Sequence, residues 1–136
     1  MDPLTDAVVD TVALVRALED ELPPAADRVF RAAEGGEARL FLPEIALAEF
    51  LYIALRGRLR VSNARAVVDE VIDQIHATGY LVLSSLSADG WDVFLDLRIP
   101  ELHDRMIASD AVHRRVPLIT NDPAFADVPG LGTVWR

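Results

Sequence analysis

The sequence AVVDTVALVRALEDEL occupies residues 7–22 and sets the pattern for the rest of the chain. Its first three residues form a short apolar run that ends at Asp10, as expected of a buried strand. Thr11 is expected to cap the element that follows, and the spacing predicts a helix over 12–22 that ends at Pro23-Pro24. This stretch therefore predicts a strand that runs directly into a helix.

The same alternation of short apolar runs and helical periodicity continues along the chain. Strands are predicted at residues 39–42, 80–83 and 116–120, with a short edge strand within 130–135. Helices are predicted between them, at residues 25–34, 43–55, 64–77, 88–98 and 100–114. Alternating strands and helices favour a parallel sheet with helices on both faces. Because the sequence has no internal repeat and no long linker, we expect a single domain over residues 1–136.

Two of the predicted helices carry pronounced apolar surfaces. In helix 43–55 the apolar residues form a broad surface that predicts burial: Ile45, Leu47, Ala48, Leu51, Ile53 and Leu55. Ser62 is expected to cap helix 64–77, which has one apolar face made of valine and isoleucine. Packing in the core is the default interpretation of both surfaces, and a protein interface is the alternative.

Size, hydrophobicity and cysteine content narrow the class of protein. With 136 residues and a hydrophobic fraction of 51%, the chain can bury a core, which excludes a disordered protein. No apolar run approaches the roughly 20 residues of a membrane span, and Met1-Asp2-Pro3 lacks the start of a signal peptide. The absence of cysteine excludes disulfides and thiolate metal sites. We expect a cytoplasmic protein with no membrane contact.

The charge distribution is acidic overall, and every basic residue is arginine. The formal net charge is −9, which repels phosphate unless bound metal or clustered arginines compensate locally. Arg56, Arg58, Arg60 and Arg65 lie close together in the sequence, and arginine suits bidentate phosphate contacts. A solvated helix end is an equally good interpretation of this cluster.

Four acidic residues occupy positions that a parallel sheet would bring together. Asp10 closes the first predicted strand and Asp122 follows the fourth, and ligands of such sheets bind beyond the carboxyl ends of the strands. Asp104 lies in the first turns of a predicted helix, and Glu49 lies mid-helix among apolar neighbours, where an unpaired charge is rare. Each of the four also has a separate structural explanation. Asp10 could cap a helix, Asp104 could complement the helix dipole, and Asp122 could form an Asx turn before Pro123. Glu49 could pair with a buried arginine such as Arg105.

If these four carboxylates converge, a divalent cation resolves their repulsion. Two unit charges 4 Å apart repel by about 4 kcal/mol at an effective dielectric constant near 20. A site made of oxygen ligands alone, without cysteine or a close pair of histidines, favours Mg²⁺ or Mn²⁺ over Zn²⁺. Water bound to such ions can attack phosphorus, so the pattern indicates metal-assisted hydrolysis of phosphodiesters.

The order of these motifs resembles the PIN domain, and most closely the compact VapC-like toxins of toxin–antitoxin pairs. The resemblance extends from about Ala7 to Trp135. It rests on four short motifs in the right order and spacing: Asp10-Thr11, Leu47-Ala48-Glu49, His103-Asp104-Arg105-Met106-Ile107 and Leu118-Ile119-Thr120-Asn121-Asp122.

The resemblance implies a three-layer α/β/α sandwich around a parallel sheet and a Mg²⁺- or Mn²⁺-dependent endoribonuclease. It implies that Asp10, Asp104 and Asp122 bind the metal directly, while Glu49 binds it or orients the attacking water. It also implies a homodimer and inhibition by a small antitoxin protein whose tail crosses the active site. Thr120 is a candidate auxiliary residue through its hydroxyl group, and a local role at the strand end is about equally expected.

The sequence departs from the family pattern at three places. Val12 replaces a commoner polar residue, which would remove a hydrogen bond near the metal and weaken its binding. Asp110 replaces a small residue or threonine, and its spacing from Asp104 predicts a solvated position. Met1 to Asp6 precede a first strand that usually begins almost at the initiator methionine.

Three other functions are alternatives to that of a nuclease. A degenerate PIN scaffold would bind RNA or protein without cleavage, and Val12 is its support. An aspartate-based phosphatase would need a second aspartate at position 12, and a receiver module would need a lysine, which the chain lacks. Trp91 and Trp135 are expected to pack or lie in an interface rather than stack on bases.

Overall fold

The computed structural model describes residues 6–77 and 79–136. Of the segment Met1 to Asp6 that precedes the first strand, the first five residues, including Met1-Asp2-Pro3, lie outside the described residues. In the described part of the chain, six α-helices and five β-strands alternate in the order that the sequence predicts, with one short 3₁₀ helix at Pro123–Phe125.

The strands form one parallel sheet in the order β3-β2-β1-β4-β5. They are β1 (Ala7–Val9), β2 (Leu40–Pro43), β3 (Leu81–Ser84), β4 (Leu118–Ile119) and β5 (Thr133–Val134). All three residues of β1 are fully buried, and successive side chains of a strand point to opposite faces. Both faces of the central strand are therefore covered, which confirms the predicted sandwich around a parallel sheet.

The helices are α1 (Thr11–Leu18), α2 (Pro24–Glu34), α3 (Glu44–Leu55), α4 (Ala64–His76), α5 (Ala88–Asp96) and α6 (Leu102–Arg114). The helix α3 lies against α1, α4 and α6, and α6 in turn packs on β1 and α5. These contacts bring α1, α3 and α6 together around the central strand. No helix in the described ranges is long and apolar enough to cross a membrane.

The predicted helix caps at Thr11 and Ser62 are each wrong by one residue, whereas the alternative that Asp10 caps α1 is confirmed. Asp10, rather than Thr11, caps α1, because its Oδ1 accepts a 2.7 Å hydrogen bond from the backbone N–H of Ala13. Asn63, rather than Ser62, caps α4 through a bond from the N–H of Ala66. The helix α1 also ends at Leu18, earlier than predicted. The cap places Asp10 at the junction of β1 and α1, with its carboxylate at the start of the helix.

The predicted burial of α3 is wrong in part. Ala48 is exposed and Leu55 is 87% exposed, although both belong to the predicted buried surface. The residues that face the core are Ala46, Phe50 and Ala54. Because α3 is apolar almost all round, its periodicity does not specify which face meets the core.

Candidate metal centre

The carboxyl ends of two neighbouring strands hold the first two acidic residues. Asp10 follows β1 directly, and its backbone N–H donates to the carbonyl of Ile119 at the end of β4, 3.3 Å away. Asp122 lies three residues beyond Ile119. The two aspartates thus leave adjacent strands at the same edge of the sheet, which is the edge where parallel sheets bind ligands.

Asp10 is the most buried of the four acids, with 5% of its surface exposed. Burial raises the pKa of its carboxyl from 3.8 to about 6. Hydrogen bonds from the Thr120 hydroxyl and the N–H of Ala13 oppose this rise, while the charges of Asp122 and Asp104 add to it. The two charged groups that raise the pKa of Asp10, Asp122 and Asp104, are both carboxylates and therefore disfavour its ionised form.

Asp104 lies in the first turn of α6 and is half-buried. Burial raises the pKa of its carboxyl, and the charges of Glu101, Asp122 and Glu49 raise it further. The two raised pKa values link all four predicted acids, because Asp104 and Asp122 act on Asp10 while Glu49 and Asp122 act on Asp104. The fold thus brings Asp10, Asp122 and Glu49 within electrostatic reach of Asp104.

Glu101 is an acidic neighbour that the sequence motifs do not reveal. It caps α6 by accepting a 2.7 Å hydrogen bond from the backbone N–H of Asp104. That bond lowers the pKa of Glu101, which is exposed. The signal that could identify it is its place directly before a helix start, although glutamate is not among the usual capping residues.

Glu49 is half-buried in α3 and is tied to α1. Its Oε1 accepts a 3.2 Å hydrogen bond from the hydroxyl of Thr11. The alternative ion pair between Glu49 and Arg105 does not form, since the Arg105 guanidinium donates to the carbonyls of Phe94 and Leu95. Thr11 is thus a positioning residue that sequence reasoning assigned only to a helix cap.

Thr120 connects the two aspartates at the sheet edge. Its hydroxyl donates to the carboxylate of Asp10, and its Oγ1 accepts a 3.0 Å hydrogen bond from the backbone N–H of Asp122. Asp122 also forms the predicted turn, because its Oδ1 accepts from the N–H of Ala124 at 2.9 Å. A buried threonine therefore holds Asp10 and Asp122 in a fixed relation.

The donor set suits a hard divalent cation, but a closed ligand shell is not formed. Among the residues that the structure describes, no three acidic or histidine side chains are close enough together to hold one metal ion. Asp10, Glu49 and Asp122 each give a carboxylate oxygen to a local hydrogen bond. The donor set nevertheless fits Mg²⁺ or Mn²⁺ in its chemistry, because it consists of carboxylate oxygens, the ligands that these hard cations prefer.

Val12 and Asp110 are two of the positions at which the sequence departs from the family pattern, and the structure changes the interpretation of both. Val12 is 42% exposed, and the hydrogen bond to Glu49 comes from its neighbour Thr11. Asp110 is only 2% exposed, so the prediction of a solvated position is wrong. Its carboxylate accepts from the Ser84 hydroxyl at 2.5 Å and from Nε of Arg114 at 2.8 Å, and these partners explain how a charged residue is buried there.

The three candidate RNA-contacting arginines lie after α3 and differ in their partners. Arg60 forms ion pairs with Glu19 and Glu21, at 3.2 and 2.6 Å. Arg56 stacks on the ring of Tyr52, with its guanidinium carbon 4.7 Å from the ring centroid. Arg58 is exposed and forms no ion pair with the described residues. Arg60 is therefore engaged by two acids, whereas Arg56 and Arg58 form no ion pair with the residues that the structure describes.

Comparisons with known proteins agree on the fold. The family model of the PIN domain matches residues 7–131. Among solved structures, a chain from VapBC2 of Rickettsia felis, bound to a DNA fragment from their promoter, superposes with a TM-score of 0.69. The match covers 93% of this chain and 96% of the other, at 18% identity, which establishes similarity of fold alone. A search of curated proteins found no match.

Proposed function

This chain belongs to the PIN domain family, and we propose that it is a metal-dependent endoribonuclease that acts as the toxin of a type II toxin–antitoxin pair. The observation that supports the proposal most is the set of linked carboxylates, in which Asp10 is buried and has a pKa of about 6. An acid this desolvated costs stability when ionised, and a bound divalent cation would compensate that cost.

In this proposal, Asp10, Asp104 and Asp122 hold Mg²⁺ or Mn²⁺ through their carboxylate oxygens, and Glu49 binds the ion or orients the attacking water. The bound ion would lower the pKa of water and neutralise charge on the phosphate. Thr11 holds the Glu49 carboxylate through its hydroxyl, so that one oxygen of Glu49 stays free to accept a proton. Thr120 bonds to both Asp10 and Asp122 and so fixes the positions of these two residues relative to each other.

The proposed substrate is single-stranded RNA. A net charge of −9 opposes phosphate binding over most of the surface. Metal at the acidic cluster, together with Arg56 and Arg58 after α3, supplies the local positive charge that the substrate needs. Arg60 holds Glu19 and Glu21 instead, and thereby fixes the loop that carries the other two arginines.

The proposed partners are a small antitoxin protein and a second copy of the chain, in the cytoplasm. The structural match to VapBC2 supports an antitoxin partner. The acidic surface would attract a basic segment of such a protein. Tyr52 and Leu55, which are 59% and 87% exposed on α3, give an apolar area suited to a protein contact.

The proposal is tested by expressing the protein, and separately the Asp104→Asn variant, in growing cells without an antitoxin. We expect growth arrest with the wild-type chain and normal growth with Asp104→Asn. Purified wild-type protein should cleave single-stranded RNA in Mn²⁺, and the variant should not. Asp69→Asn is a matched control, because Asp69 is exposed and forms a surface ion pair with Arg65. Equal toxicity of wild type and Asp104→Asn would rule out a catalytic toxin.

A degenerate PIN scaffold is the competing function. It predicts RNA binding without cleavage in Mn²⁺. Its support in the sequence is Val12, which replaces a polar residue that could form a hydrogen bond near the metal. In the structure, the hydroxyl that holds Glu49 belongs to Thr11 and is present. A binding assay run beside the cleavage assay separates the two functions.

A further inference from the structure

A cavity of about 160 Å³ opens at the carboxyl ends of β2 and β3, on the same sheet edge as the carboxylate cluster. Pro43 and Ser84, the last residues of the two strands, form its floor, and Trp91 of α5 and Met106 of α6 form walls. Ile45 also lines it and lies one helical turn before Glu49 on α3. The cavity therefore adjoins the candidate metal centre without sharing its acids.

Two acids line the cavity: Glu44, which is exposed, and Asp110, whose carboxylate is buried. Each oxygen of the Asp110 carboxylate already accepts one hydrogen bond, from Ser84 and from Arg114. A carboxylate has about four acceptor positions, so Asp110 can accept further hydrogen bonds from a ligand. Ser85, an exposed residue that also lines the cavity, carries a hydroxyl that can donate one. The cavity thus offers an acceptor on a buried residue and a donor on an exposed one.

The apolar residues that line the cavity suit a flat apolar ring. Trp91 is 44% exposed and is held edge-to-face against Phe94, with ring centroids 5.2 Å apart. An exposed indole beside a cavity is a stacking surface for an unpaired base. A cavity of this size holds a single six-membered ring, since one of about 150 Å³ accepts benzene.

We propose that this cavity is a subsite for one unpaired cytosine of the RNA substrate, next to the phosphate that is cleaved. Asp110 would accept from the exocyclic amine of the base, Ser85 would donate to its ring acceptors, and Trp91 would stack on its face. Uracil is disfavoured, because it presents a carbonyl oxygen where cytosine presents the amine. This inference rests on the proposed ribonuclease function, since it names the substrate base of the same site.

A positively charged ligand, such as an arginine side chain of a protein partner, is the main competitor for the cavity. The charge of Asp110 is already paired with Arg114, whose guanidinium in turn lies 4.1 Å from the ring centroid of Phe41. A neutral amine gains a hydrogen bond from this carboxylate without bringing a second cation close to Arg114. At the Asp110 carboxylate, the arrangement therefore favours a neutral amine over a second cation.

The test is a fluorescence titration of the metal-free full chain with cytidine, uridine and N-acetylarginine amide. Nucleosides carry no phosphate, so the titration is independent of metal and of cleavage. We expect cytidine, followed by the quenching of tryptophan fluorescence, to bind about tenfold more tightly than uridine, which is the effect of losing one hydrogen bond to a charged group. The quenching should disappear in Trp91→Phe, because Trp91 is the tryptophan that lines the cavity.

Two variants test the proposed contacts with the base, and a third variant is the control. Asp110→Asn should reduce the preference for cytidine, since its amide can donate to the carbonyl oxygen of uracil. Ser85→Ala, at an exposed residue that the fold does not need, should weaken cytidine binding several-fold. Leu95→Ala is the control, because Leu95 lies one turn from Trp91 on α5 and does not line the cavity.

Equal quenching by cytidine and uridine would overturn the proposal, and so would quenching by the arginine amide alone. Loss of RNA cleavage with retained cytidine binding would refute the proposed function but not the subsite. Cleavage of a random RNA pool with no base preference near the cut would refute the subsite but not the nuclease.

Discussion

The hydroxyl of Thr11 donates a 3.2 Å hydrogen bond to Oε1 of Glu49, and so joins residues that are 38 positions apart in the chain. Thr11 is the first residue of α1 and follows Asp10 directly, so the bond connects the central strand to α3. In a metal-binding site, partners of this kind orient the ligands. Thr11 thereby holds Glu49 toward the edge of the sheet where Asp10 lies.

Replacement of Thr11 by valine removes this hydroxyl and keeps the shape of the side chain. We expect Thr11→Val to weaken Mn²⁺ binding or lower the rate of RNA cleavage about tenfold or more, the usual effect of losing such a partner. Thr11→Ser should restore both, because it returns the hydroxyl. Val12→Thr, at the exposed neighbouring position, should change neither. A rate that is equal in Thr11→Val and wild type would show that Glu49 needs no support from α1.

The raised pKa of Asp10 makes the stability of the metal-free protein depend on pH. Between pH 3.8 and about 6 the folded protein keeps the Asp10 proton that the unfolded chain releases. The contribution of Asp10 to the free energy of unfolding is therefore fully present below pH 3.8. It is lost as the pH rises through about 6. Over this range the loss is about 3 kcal/mol, at 1.36 kcal/mol for each unit of pKa.

Urea unfolding in EDTA from pH 4 to pH 8 measures this loss, with Asp10→Asn as the reference. Asparagine cannot ionise but still caps the helix, so the variant should be the more stable protein at pH 8 by about 3 kcal/mol. At pH 4 the two proteins should have nearly equal stability. A constant difference at all pH values would mean that the Asp10 carboxyl is not desolvated.

The buried network of Asp110 should contribute to stability through its hydrogen bonds. Ser84→Ala removes one partner and should lower the free energy of unfolding by about 1 to 2 kcal/mol. Asp110→Ala leaves both Ser84 and the part-buried Arg114 without a partner, so it should cost more than Ser84→Ala, about 2 to 3 kcal/mol. Arg65→Ala is the control, because the ion pair of Arg65 with Asp69 is exposed and should contribute less than about 1 kcal/mol. If Asp110→Ala costs no more than this control, the pair does not stabilise the core.

The two arginines Arg58 and Arg60 should affect RNA binding differently. Arg58→Ala should reduce affinity for a non-cleaved single-stranded RNA and lower the salt slope by about 0.7, the value for one phosphate contact. Arg60→Ala should leave the slope unchanged and reduce stability, because it releases Glu19 and Glu21. Affinity measured at several salt concentrations distinguishes these effects. Identical slopes for wild type and Arg58→Ala would contradict an RNA contact at Arg58.

The order of strands and helices was predictable because it depends on local periodicity. Each strand is a short apolar run between turn residues, and its position in the sequence needs no knowledge of the fold. The capping errors at Thr11 and Ser62 arose because neighbouring residues are equally good capping candidates by type. The buried face of α3 could not be predicted, since apolar residues surround that helix and only its packing on α1, α4 and α6 selects Phe50.

The surroundings of the candidate site depend on contacts that local patterns do not contain. The spacing of Asp110 from Asp104 puts the two residues on different faces of α6. It does not show that Ser84, at the end of β3, lies against the face that carries Asp110. For the same reason the link between Thr11 and Glu49 was not predictable, although each residue was identified individually.

The binding of a divalent cation by the four carboxylates is tested most directly by the melting temperature with and without millimolar Mn²⁺. Mn²⁺ at about 100 times its dissociation constant stabilises the folded protein by about 2.7 kcal/mol, so the wild-type chain should melt several degrees higher with the ion. In the double variant Asp10→Asn, Asp104→Asn the ion should produce no rise. A rise of equal size in both proteins would place the metal elsewhere and contradict the proposed centre.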